Sequence, residues 1–567
     1  MAISSVFKHT RLQPGRLLLD SRRALSSYAK PFFQNEPSPS YEKGSSSRGD
    51  VMKAYGELVS SLPVNVSLKH SGKGAGTKSI QQVNPANHKQ VVADYIPSTP
   101  ADVQNAIESA LQAKSAWENT PFEDRAAIFM RAAALVAGKY RHALMAATMV
   151  GQGKNIWQAE IDAAAETCDL LRFNVQCAVD LFKQQPAVNP SGMWNRLEYR
   201  PLEGFVYAIS PFNFTALAAT LACGPLLMGN VVIWKPSPSA FHSSWLLYKI
   251  MVEAGLPENV LQFVAGDAEA ITSTVLENRA FAGLNFTGSS AVFKQLTARI
   301  GKATGEDKFL NFPRIVGETG GKNFHLVHKS ADIENAVNCT IRSAFEFQGQ
   351  KCSAASRLYV PESIWPAFKE NLLAKMATVK VGSPEDVTNF VNPVIHEQSF
   401  DKLAGVIEKA KTDPKLTLLC GGNASKETGY FVQPTIYQTS NPHHEIMQKE
   451  LFGPLTAVYV YPDSEWADIA QVIDSTAPYA LTGSIFARDA AAIRYAEDTL
   501  RNSAGNFYIN TKSTGSVVGQ QPFGGMRGSG TNDKVGSVNV LSRFTSVRAI
   551  KEDFEGTPDF EYPSNEA

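Results

Sequence analysis

At 567 residues the chain is several times longer than a typical domain of about 150 residues, so three or four structural units are expected. Its 54 basic and 54 acidic residues balance, which argues against binding to nucleic acid or to an anionic membrane surface. No uninterrupted run of about 18 apolar residues predicts a membrane-spanning helix. With 44% apolar residues the chain can bury large cores, and small-molecule chemistry is the favoured class of function.

Residues 1–30 differ in composition from the rest of the chain. Lys and Arg alternate with serines there, and Asp20 is the one acidic residue. This composition is typical of a mitochondrial transit peptide, so we predict one over 1–30 and a location in the mitochondrial matrix; the alternative is a disordered basic tail. From Ser38 to Gly76 the chain is rich in Ser, Gly and Lys, which predicts an extended arm on the surface.

Three helices are predicted before residue 188. Thr99 and Pro100 have the residue types of an N-cap and a first helical position, and apolar residues follow at helical spacing. A second helix is expected over about Phe122–Arg141 and a third over about Asn155–Phe182. Cys168 lies on the apolar side of the third helix, so a packing role is expected for it.

Two α/β regions follow. Residues 193–201 alternate as in an exposed strand, and apolar runs near 204–209, 231–234, 260–264 and 282–286 each lead into a helical stretch. Such βαβ units form a parallel sheet with its ligand at the carboxyl ends of the strands. A second α/β region spans about Asn323–Asn510, and the tail over 538–560 is expected to pair with the strand near 193–200.

The six cysteines form no CxxC pair and no close group with histidines, so neither a metal site nor a disulfide framework is predicted, and a reducing compartment fits. Cys352 stands apart because Gly349, Gln350, Lys351 and Ser353 surround it with small or polar groups. A thiol in that setting is a candidate nucleophile. The alternative is a small buried apolar residue, which is the usual role of a free cysteine.

Polar groups that suit a ligand follow three of the predicted strands. Asn213 is a candidate oxyanion donor or a turn residue, and Lys235 is a candidate ribose ligand or a solvated surface residue. Gly288 and Ser289 begin a helix whose backbone N–H groups suit a phosphate. The fingerprint GxGxxG is absent, so short motifs alone do not assign a nucleotide site.

Two further loops suggest chemistry. Glu318 precedes Gly320 and Gly321, a flexible setting for a general base, although a plain turn is the alternative. The segments 512–516 and 520–525 are rich in Gly and Ser, so their backbone amides can bind a carboxylate beside an aromatic wall.

Seven segments together resemble the aldehyde dehydrogenase superfamily in their order and separation, over about residues 50–560. They are Pro-Phe-Asn at 211–213, Trp-Lys-Pro at 234–236, Phe-Thr-Gly-Ser at 286–289, Glu-Thr-Gly-Gly-Lys-Asn at 318–323, Gly-Gln-Lys-Cys at 349–352, Glu-Leu-Phe-Gly-Pro at 450–454 and Pro-Phe-Gly-Gly at 522–525. Within the superfamily, the segments 349–354 and 512–525 resemble those of members that oxidise L-glutamate 5-semialdehyde, the hydrolysed form of 1-pyrroline-5-carboxylate, to L-glutamate in proline degradation.

The resemblance implies an α/β fold with a Rossmann-type NAD domain, an α/β catalytic domain and a β-hairpin oligomerisation flap, in a homodimer or larger homo-oligomer. The implied division is a transit peptide (1–30), an N-terminal arm with the helical part of the NAD-binding domain (31–188), an oligomerisation hairpin (189–203), the parallel sheet of the NAD-binding domain (204–317), the catalytic domain (318–526), and a C-terminal oligomerisation strand and tail (527–567).

The resemblance also implies roles for individual residues. Cys352 would attack the aldehyde, Asn213 would hold the resulting alkoxide and Glu318 would activate water. The implied NAD ligands are Ser210, Lys235, Gly288, Ser289, Glu450 and Phe452. The implied substrate contacts are Gly515, Ser516 and Ser353 at the charged end, with Phe214 and Phe523 along the methylene chain.

Pro238 departs from the family pattern, since many relatives have an acid there, so the choice of NAD over NADP is open. Three alternatives to the implied function also stay open: a dehydrogenase for another carboxylated semialdehyde, a thiol hydrolase without cofactor and a catalytically idle protein of the same fold. The loop at Gly515 and Ser516 speaks against the first, and the presence of Asn213, Glu318 and Cys352 together speaks against the last.

Overall fold

In the computed structural model, the structure is described for residues 33–69 and 78–565. The predicted transit peptide over 1–30 lies outside these residues. The described chain folds into two α/β units and a two-stranded ribbon. Within the described residues, no helix combines the length and the apolarity needed to cross a bilayer.

The segment after residue 38 is not the extended arm that its composition predicts. A helix spans Ser46–Ser60, and Val51 and Tyr55 are buried on one side of it. Ser45 caps its first turn by accepting a hydrogen bond from the backbone N–H of Arg48. The prediction was wrong because the Ser, Gly and Lys content hid an apolar pair at helical spacing, which packs against a later helix. Residues 70–76 lie outside the described part.

A small sheet and the helical part of the first unit follow. The sheet has the order β1-β3-β2, with β1 at Val64–Val66, β2 at Ile80–Asn84 and β3 at Asn87–Tyr95. The helices are Pro100–Asn119, Phe122–Ala137, Arg141–Gln152, Ile156–Ala159 and Thr167–Phe182, with a π-helical turn at Glu160–Glu166. The predicted cap is confirmed, because the Thr99 side chain and Asp102 form a capping box. Cys168 is fully buried, as expected.

The first large sheet is parallel and has the order β7-β6-β5-β8-β9. After β4 (Met193–Pro201) its strands are β5 (Phe205–Ser210), β6 (Val231–Pro236), β7 (Leu261–Phe263), β8 (Phe281–Thr287) and β9 (Arg314–Glu318). Its crossover helices are Thr215–Leu227, Phe241–Glu253, Ala268–Glu277 and Ser290–Gly305. The chain reverses its direction across the sheet between β5 and β8, the position at which open α/β sheets bind ligands. The predicted βαβ region is thereby confirmed.

The second sheet has the order β12-β15-β16-β11-β10-β18-β19, with only β12 antiparallel to its neighbour. Its strands are β10 (Asn323–Val327), β11 (Ala355–Pro361), β12 (Leu416–Cys420), β15 (Thr435–Thr439), β16 (Leu455–Tyr461), β18 (Thr482–Phe486) and β19 (Asn506–Ile509). Its helices are Ile333–Phe345, Trp365–Met376, Glu397–Ala410, Glu445–Gln448, Trp466–Thr476 and Ala490–Thr499. Two short pairs lie beside it: β13 (Ala424–Ser425) with β14 (Phe431–Val432), and β17 (Tyr479–Ala480) with β20 (Met526–Arg527).

The C-terminal part returns to the first unit. The helix Val538–Ser542 places Val540 and Leu541 in the apolar core of that unit. Strand β21 (Thr545–Asp553) then pairs antiparallel with β4 along its whole length, as the sequence predicted. The hairpin expected within 189–203 is not formed, because β4 leads through Gly204 directly into β5 and takes its partner from the other end of the chain.

Candidate active site

The predicted site residues meet between the two sheets. The carboxyl ends of β5, β8 and β9 carry Asn213, Gly288 and Glu318, whereas Cys352 and Glu450 lie just before β11 and β16. The site therefore joins the carboxyl edge of one sheet to the amino edge of the other. The backbone N–H of Gly288 donates to the carbonyl of Glu318 at 3.2 Å, which ties the two loops of the first sheet together.

A tight turn presents Cys352. Phe347, Gln348 and Gly349 have left-handed φ angles of 51°, 57° and 63°. For residues other than glycine this backbone costs about 1 kcal/mol or more, so neighbouring contacts must hold it. The Gln348 side chain supplies them: it donates to the carbonyls of Gly153 at 3.1 Å and Pro393 at 2.8 Å, and accepts from a backbone N–H at 3.0 Å.

Asn323 fixes the backbone of Cys352 from the other side. Its amide nitrogen donates to the carbonyl of Cys352 at 2.7 Å and to that of Ala354 at 2.9 Å. Its oxygen accepts from the backbone N–H of Thr482 at 3.0 Å. The sequence placed Asn323 inside a motif without giving it a role, because the contact joins residues that lie 29 positions apart.

Asn213 points toward the same turn. Its side chain is 3% exposed, and its Nδ2 donates to the carbonyl of Gln350 at 3.2 Å. This contact leaves one N–H of the amide for a ligand, and the amide oxygen has no hydrogen-bond partner among the described residues. A neutral, rigidly held N–H near Cys352 is suited to a developing oxyanion.

Burial and nearby carboxylates disfavour the thiolate of Cys352. Burial raises the pKa of this thiol to about 12, and the charges of Glu318 and Glu450 act in the same direction. The adjacent Lys351 does not oppose them strongly, because its ammonium pairs with Glu346 at 2.8 Å. The Cys352 thiol is therefore protonated at neutral pH, and its activation needs a nearby base or an added positive charge.

Glu318 is a carboxyl group suited to proton transfer. It is 6% exposed at the end of β9, and neither of its oxygens has a hydrogen-bond partner among the described residues. Burial raises the pKa of Glu318 well above its usual value; the facing backbone N–H of Gly525 and the ammonium of Lys534 lower it only in part. Such a group titrates closer to neutral pH than an exposed glutamate.

The predicted cofactor residues line the carboxyl edge of the first sheet. Lys235 is 7% exposed at the end of β6, and Ser210 accepts from the indole N–H of Trp234 at 2.9 Å. Ser289 caps the helix Ser290–Gly305, and Thr287 beside it has a buried hydroxyl with no partner among the described residues. A buried lysine, an unsatisfied hydroxyl and a helix N-terminus at the switch point fit a dinucleotide.

Glu450 and Phe452 complete that edge from the second unit. One Glu450 oxygen accepts from the backbone N–H of Gly321 at 2.8 Å. A Cβ at Gly320 would lie 2.0 Å from the other Glu450 oxygen, so any larger residue here would force the Glu450 side chain to move. Phe452 has a left-handed φ of 54°, and its ring packs edge-on against Phe212 at 5.8 Å.

The loop that holds Gly515 and Ser516 is tied to the residue after the cysteine. The Ser513 hydroxyl donates to the carbonyl of Ser353 at 3.1 Å, and Ser516 donates to the carbonyl of Gln521 at 2.9 Å. Phe523 is held by paired backbone hydrogen bonds with Val535 at 3.0 and 2.7 Å. These contacts place the loop beside the candidate nucleophile.

Tyr508 was missed by the sequence. It is 4% exposed, its ring lies next to Gly515, and its hydroxyl has no hydrogen-bond partner in the described chain. Burial raises the pKa of Tyr508 to about 12; nearby Ser516 lowers this pKa, and Cys352 raises it when its thiol is ionised. The side chain therefore lies close to both groups. An alternating strand motif gave no signal that distinguishes this tyrosine from a packing residue.

A buried ion pair supports Phe214. The Lys154 ammonium lies 4.2 Å from the centre of the Phe214 ring and pairs with Asp162 at 2.6 Å. Asp162 in turn accepts from the backbone N–H groups of Thr215 and Ala216, each at 2.9 Å. The pair thus fixes the start of the helix that follows Phe214. Sequence reasoning missed this ion pair, because no motif links Lys154 and Asp162 to Phe214.

The described residues contain no group of three or more His, Cys, Asp or Glu side chains that could hold a metal ion.

Comparisons with known proteins agree with this geometry. Residues 72–550 match the Aldehyde dehydrogenase family. The chain is 55% identical over 571 residues to a mitochondrial delta-1-pyrroline-5-carboxylate dehydrogenase of Emericella nidulans, with 100% of both chains covered. It is 48% identical to the mitochondrial protein of that name from Homo sapiens, with 93% of each covered.

A solved structure shows the same fold. The delta-pyrroline-5-carboxylate dehydrogenase from Mycobacterium tuberculosis bound with NAD superposes with a TM-score of 0.91 at 42% identity, over 96% of this chain and 100% of that one. The predicted α/β architecture is confirmed by this similarity. The chain belongs to the aldehyde dehydrogenase family.

Proposed function

We propose that this protein is a mitochondrial enzyme that oxidises L-glutamate 5-semialdehyde, formed from 1-pyrroline-5-carboxylate, to L-glutamate with NAD, the second step of proline degradation. The carrying observation is the hydrogen bond from Ser513 to the carbonyl of Ser353. It joins a loop that offers amides to a carboxylate to the residue that directly follows Cys352 in an aldehyde dehydrogenase site. The names of the relatives, several of them mitochondrial, support the substrate and the location.

The first chemical step belongs to Cys352. Its sulfur attacks the aldehyde carbon, and the carbonyl oxygen becomes an alkoxide. The free N–H of Asn213 and the backbone N–H of Cys352 hold that oxygen, while Asn323 keeps the cysteine backbone from shifting. Because the thiol is protonated at rest, its proton passes to Glu318 or to a base from solvent during the attack.

NAD, when bound, supplies the hydride acceptor that converts the cysteine adduct to a thioester. The residues that would hold it are Lys235 at the adenosine ribose, Ser210, Gly288 and Ser289 at the pyrophosphate side, and Glu450 with Phe452 at the nicotinamide ribose. Burial lowers the pKa of Lys235, although Asp267 opposes this shift, so the lysine gains from a polar ligand that satisfies its ammonium.

Glu318 acts again in the second half of the reaction, the hydrolysis of the thioester. As a carboxylate it removes a proton from water, which attacks the thioester and releases L-glutamate and the Cys352 thiol. Neither carboxylate oxygen has a hydrogen-bond partner within the described part of the chain, which leaves the group available for water. Its raised pKa makes it a stronger base than an exposed glutamate.

Substrate selection follows from the two ends of the pocket. Gly515, Ser516 and Ser353 offer amide and hydroxyl donors for the α-carboxylate. Phe214 and Phe523 provide apolar walls for the methylene chain, and Lys154 stiffens the first of these walls. A short zwitterionic aldehyde needs both kinds of contact.

The ribbon of β4 and β21 is the proposed contact for a homodimer or larger assembly. Trp194 and Val547 are exposed large apolar residues, one on each strand of the ribbon. A two-stranded ribbon is at best marginally stable in water on its own, so a partner surface that covers it would contribute to its stability.

The substrate assignment is tested by measuring NADH formation from L-glutamate 5-semialdehyde, succinic semialdehyde and propanal. We expect kcat/KM for the first to exceed the other two by about 100-fold or more, because each well-placed polar contact in the pocket is worth about 1 to 3 kcal/mol. Equal turnover of all three aldehydes would contradict the assignment.

Replacing Gly320 by Ala tests the cofactor edge. The new methyl would lie 2.0 Å from a Glu450 oxygen, so we expect Glu450 to move and the KM for NAD to rise about 10-fold. Gly301→Ala is the matched control, because a Cβ there meets nothing within 4 Å. An unchanged KM for NAD in Gly320→Ala would remove Glu450 from the cofactor site.

A further inference from the structure

The N-terminal segment 33–41, here called the strap, contacts the loop that holds Gly515 and Ser516. The Asn35 amide nitrogen donates to the carbonyl of Val518 at 2.7 Å and to a carboxylate oxygen of Asp169 at 2.7 Å. The Gln520 side chain donates to the Asn35 oxygen at 2.9 Å. The Asn35 side chain thus joins the helix Thr167–Phe182 to a loop that lies 483 residues from Asn35 in the sequence.

Buried charges hold the strap in place. Glu36, whose side chain is 9% exposed, pairs with Arg141 at 2.8 Å and with Arg172 at 2.6 Å. Its backbone N–H donates to Asp169 at 2.8 Å, and Arg141 also donates to the carbonyl of Pro37 at 2.8 Å. Pairs that are this well buried and fully hydrogen-bonded are costly to break, so the strap is a fixed support.

An aromatic contact reinforces the same connection. Phe33 packs edge-on against Phe173, with 6.2 Å between ring centres. On the loop side, a Cβ at Gly519 would lie 2.6 Å from the Phe173 ring, so the loop backbone lies directly on that ring. Phe173 is therefore in contact with both the strap and the loop.

The loop itself has little rigidity of its own. It contains Gly515 and Gly519, the latter at a φ of 80°, and its internal hydrogen bonds include those from Ser516 to the carbonyl of Gln521 and from the N–H groups of 520 and 521 to that of Val517. Glycine-rich segments lose much conformational entropy when they are ordered. A contact from outside the loop, close to Ser516, orders the loop before the substrate binds. Less conformational entropy is then lost when the substrate binds.

We propose that the strap positions the 515–521 loop for the substrate carboxylate, and that Asn35 is a positioning residue for recognition of the amino-acid aldehyde. This inference rests on the proposed role of Gly515 and Ser516. It also implies that a mature N-terminus produced by cleavage of a leader must leave Asn35 and Glu36 in the chain, because their removal would release the loop.

The test compares wild-type enzyme, Asn35→Ala and Ser38→Ala with two aldehydes. Ser38 is exposed in the same strap and is the matched control. In Asn35→Ala we expect the KM for L-glutamate 5-semialdehyde to rise about 10-fold, because two hydrogen bonds to the loop are lost. The KM for NAD and the kcat/KM for propanal, which lacks a carboxylate, should stay within about twofold of wild type, as should all values for Ser38→Ala.

Hydrogen exchange provides a readout independent of activity. Amides of residues 512–521 should exchange faster in Asn35→Ala than in wild type or Ser38→Ala. Gln520→Ala removes one contact from the loop side, so it tests the same bond if Asn35→Ala does not fold; its KM for the amino-acid aldehyde should rise about threefold. The double variant Asn35→Ala/Gln520→Ala should have the same KM for the amino-acid aldehyde as Asn35→Ala alone, because the hydrogen bond between the two side chains can be lost only once.

The proposed role of the strap is rejected if Asn35→Ala changes neither the KM for L-glutamate 5-semialdehyde nor the hydrogen exchange of the loop amides. It is also rejected if kcat/KM falls equally for both aldehydes. The proposed function is judged separately, by the preference of the wild-type enzyme among aldehydes. A wild-type enzyme that prefers the amino-acid aldehyde, with no effect of Asn35→Ala or Gln520→Ala, would overturn the strap and leave the proposed function intact.

Discussion

Replacing Cys352 by Ala is expected to lower kcat/KM for L-glutamate 5-semialdehyde by about 10⁴-fold or more. The thiol forms the covalent bond on which both halves of the reaction depend, and no neighbouring group within the described site can replace a sulfur nucleophile. The measurement is the rate of NADH formation at saturating NAD. Cofactor affinity, measured by fluorescence titration, should change little, because the proposed cofactor contacts come from other residues.

Cys339→Ala is the matched control for this loss. Cys339 is a partly buried cysteine on the helix Ile333–Phe345, where its thiol donates a hydrogen bond to the Asn335 side chain four residues earlier at 3.5 Å. We expect full activity in that variant. Retention of more than a few per cent of the wild-type rate in Cys352→Ala would remove Cys352 from the mechanism.

Replacing Glu318 by Gln is expected to separate the two halves of the reaction. Turnover should fall about 10²- to 10⁴-fold, because an amide cannot take a proton from the hydrolytic water. Part of the acylation step should persist, so NADH should appear in an initial phase close to one equivalent per active site before the slow steady state. Glu334→Gln, at an exposed position of the helix Ile333–Phe345, is the conservative control. The absence of any initial phase together with unchanged turnover would contradict the role of Glu318.

The pH dependence of turnover follows from the raised pKa of Glu318. The group is a base only above its folded pKa, which burial places well above the usual value for glutamate. Deacylation should therefore slow as pH falls through this raised pKa, at pH values where an exposed glutamate would still be ionised. In Glu318→Gln this decline in deacylation should disappear, whereas the acylation phase should still accelerate with rising pH, because the Cys352 thiol remains protonated at neutral pH.

The sequence predicted those features that repeat locally. Strands β5 to β8, the cap at Thr99 and the core position of Cys168 all follow from spacing within one element. The residues of the candidate site stood in ordered motifs, so they could be chosen before their geometry was known. The loops that carry them are short, and the sheets leave little freedom in where they meet.

The features missed by the sequence depend on contacts between distant residues. Asn35, Asn323 and Tyr508 look like ordinary polar or packing residues until the fold brings them to Val518, Cys352 and Ser516. The N-terminal helix was hidden by a composition typical of a loop. The pairing of β4 with the C-terminal strand was predicted, but a local hairpin within 189–203 was expected as well. Alternation of apolar and polar residues does not show whether the partner strand is near or far in sequence.

The central claim is that Cys352 carries the oxidised substrate as a thioester. Glu318→Gln mixed with NAD and L-glutamate 5-semialdehyde, then quenched in acid and digested, allows the acyl group to be located by peptide mass spectrometry. We predict a γ-glutamyl adduct on the peptide that contains Cys352, in an amount that matches the initial NADH. The same amount of NADH with no adduct on that peptide, or with the adduct on another cysteine, would contradict the account.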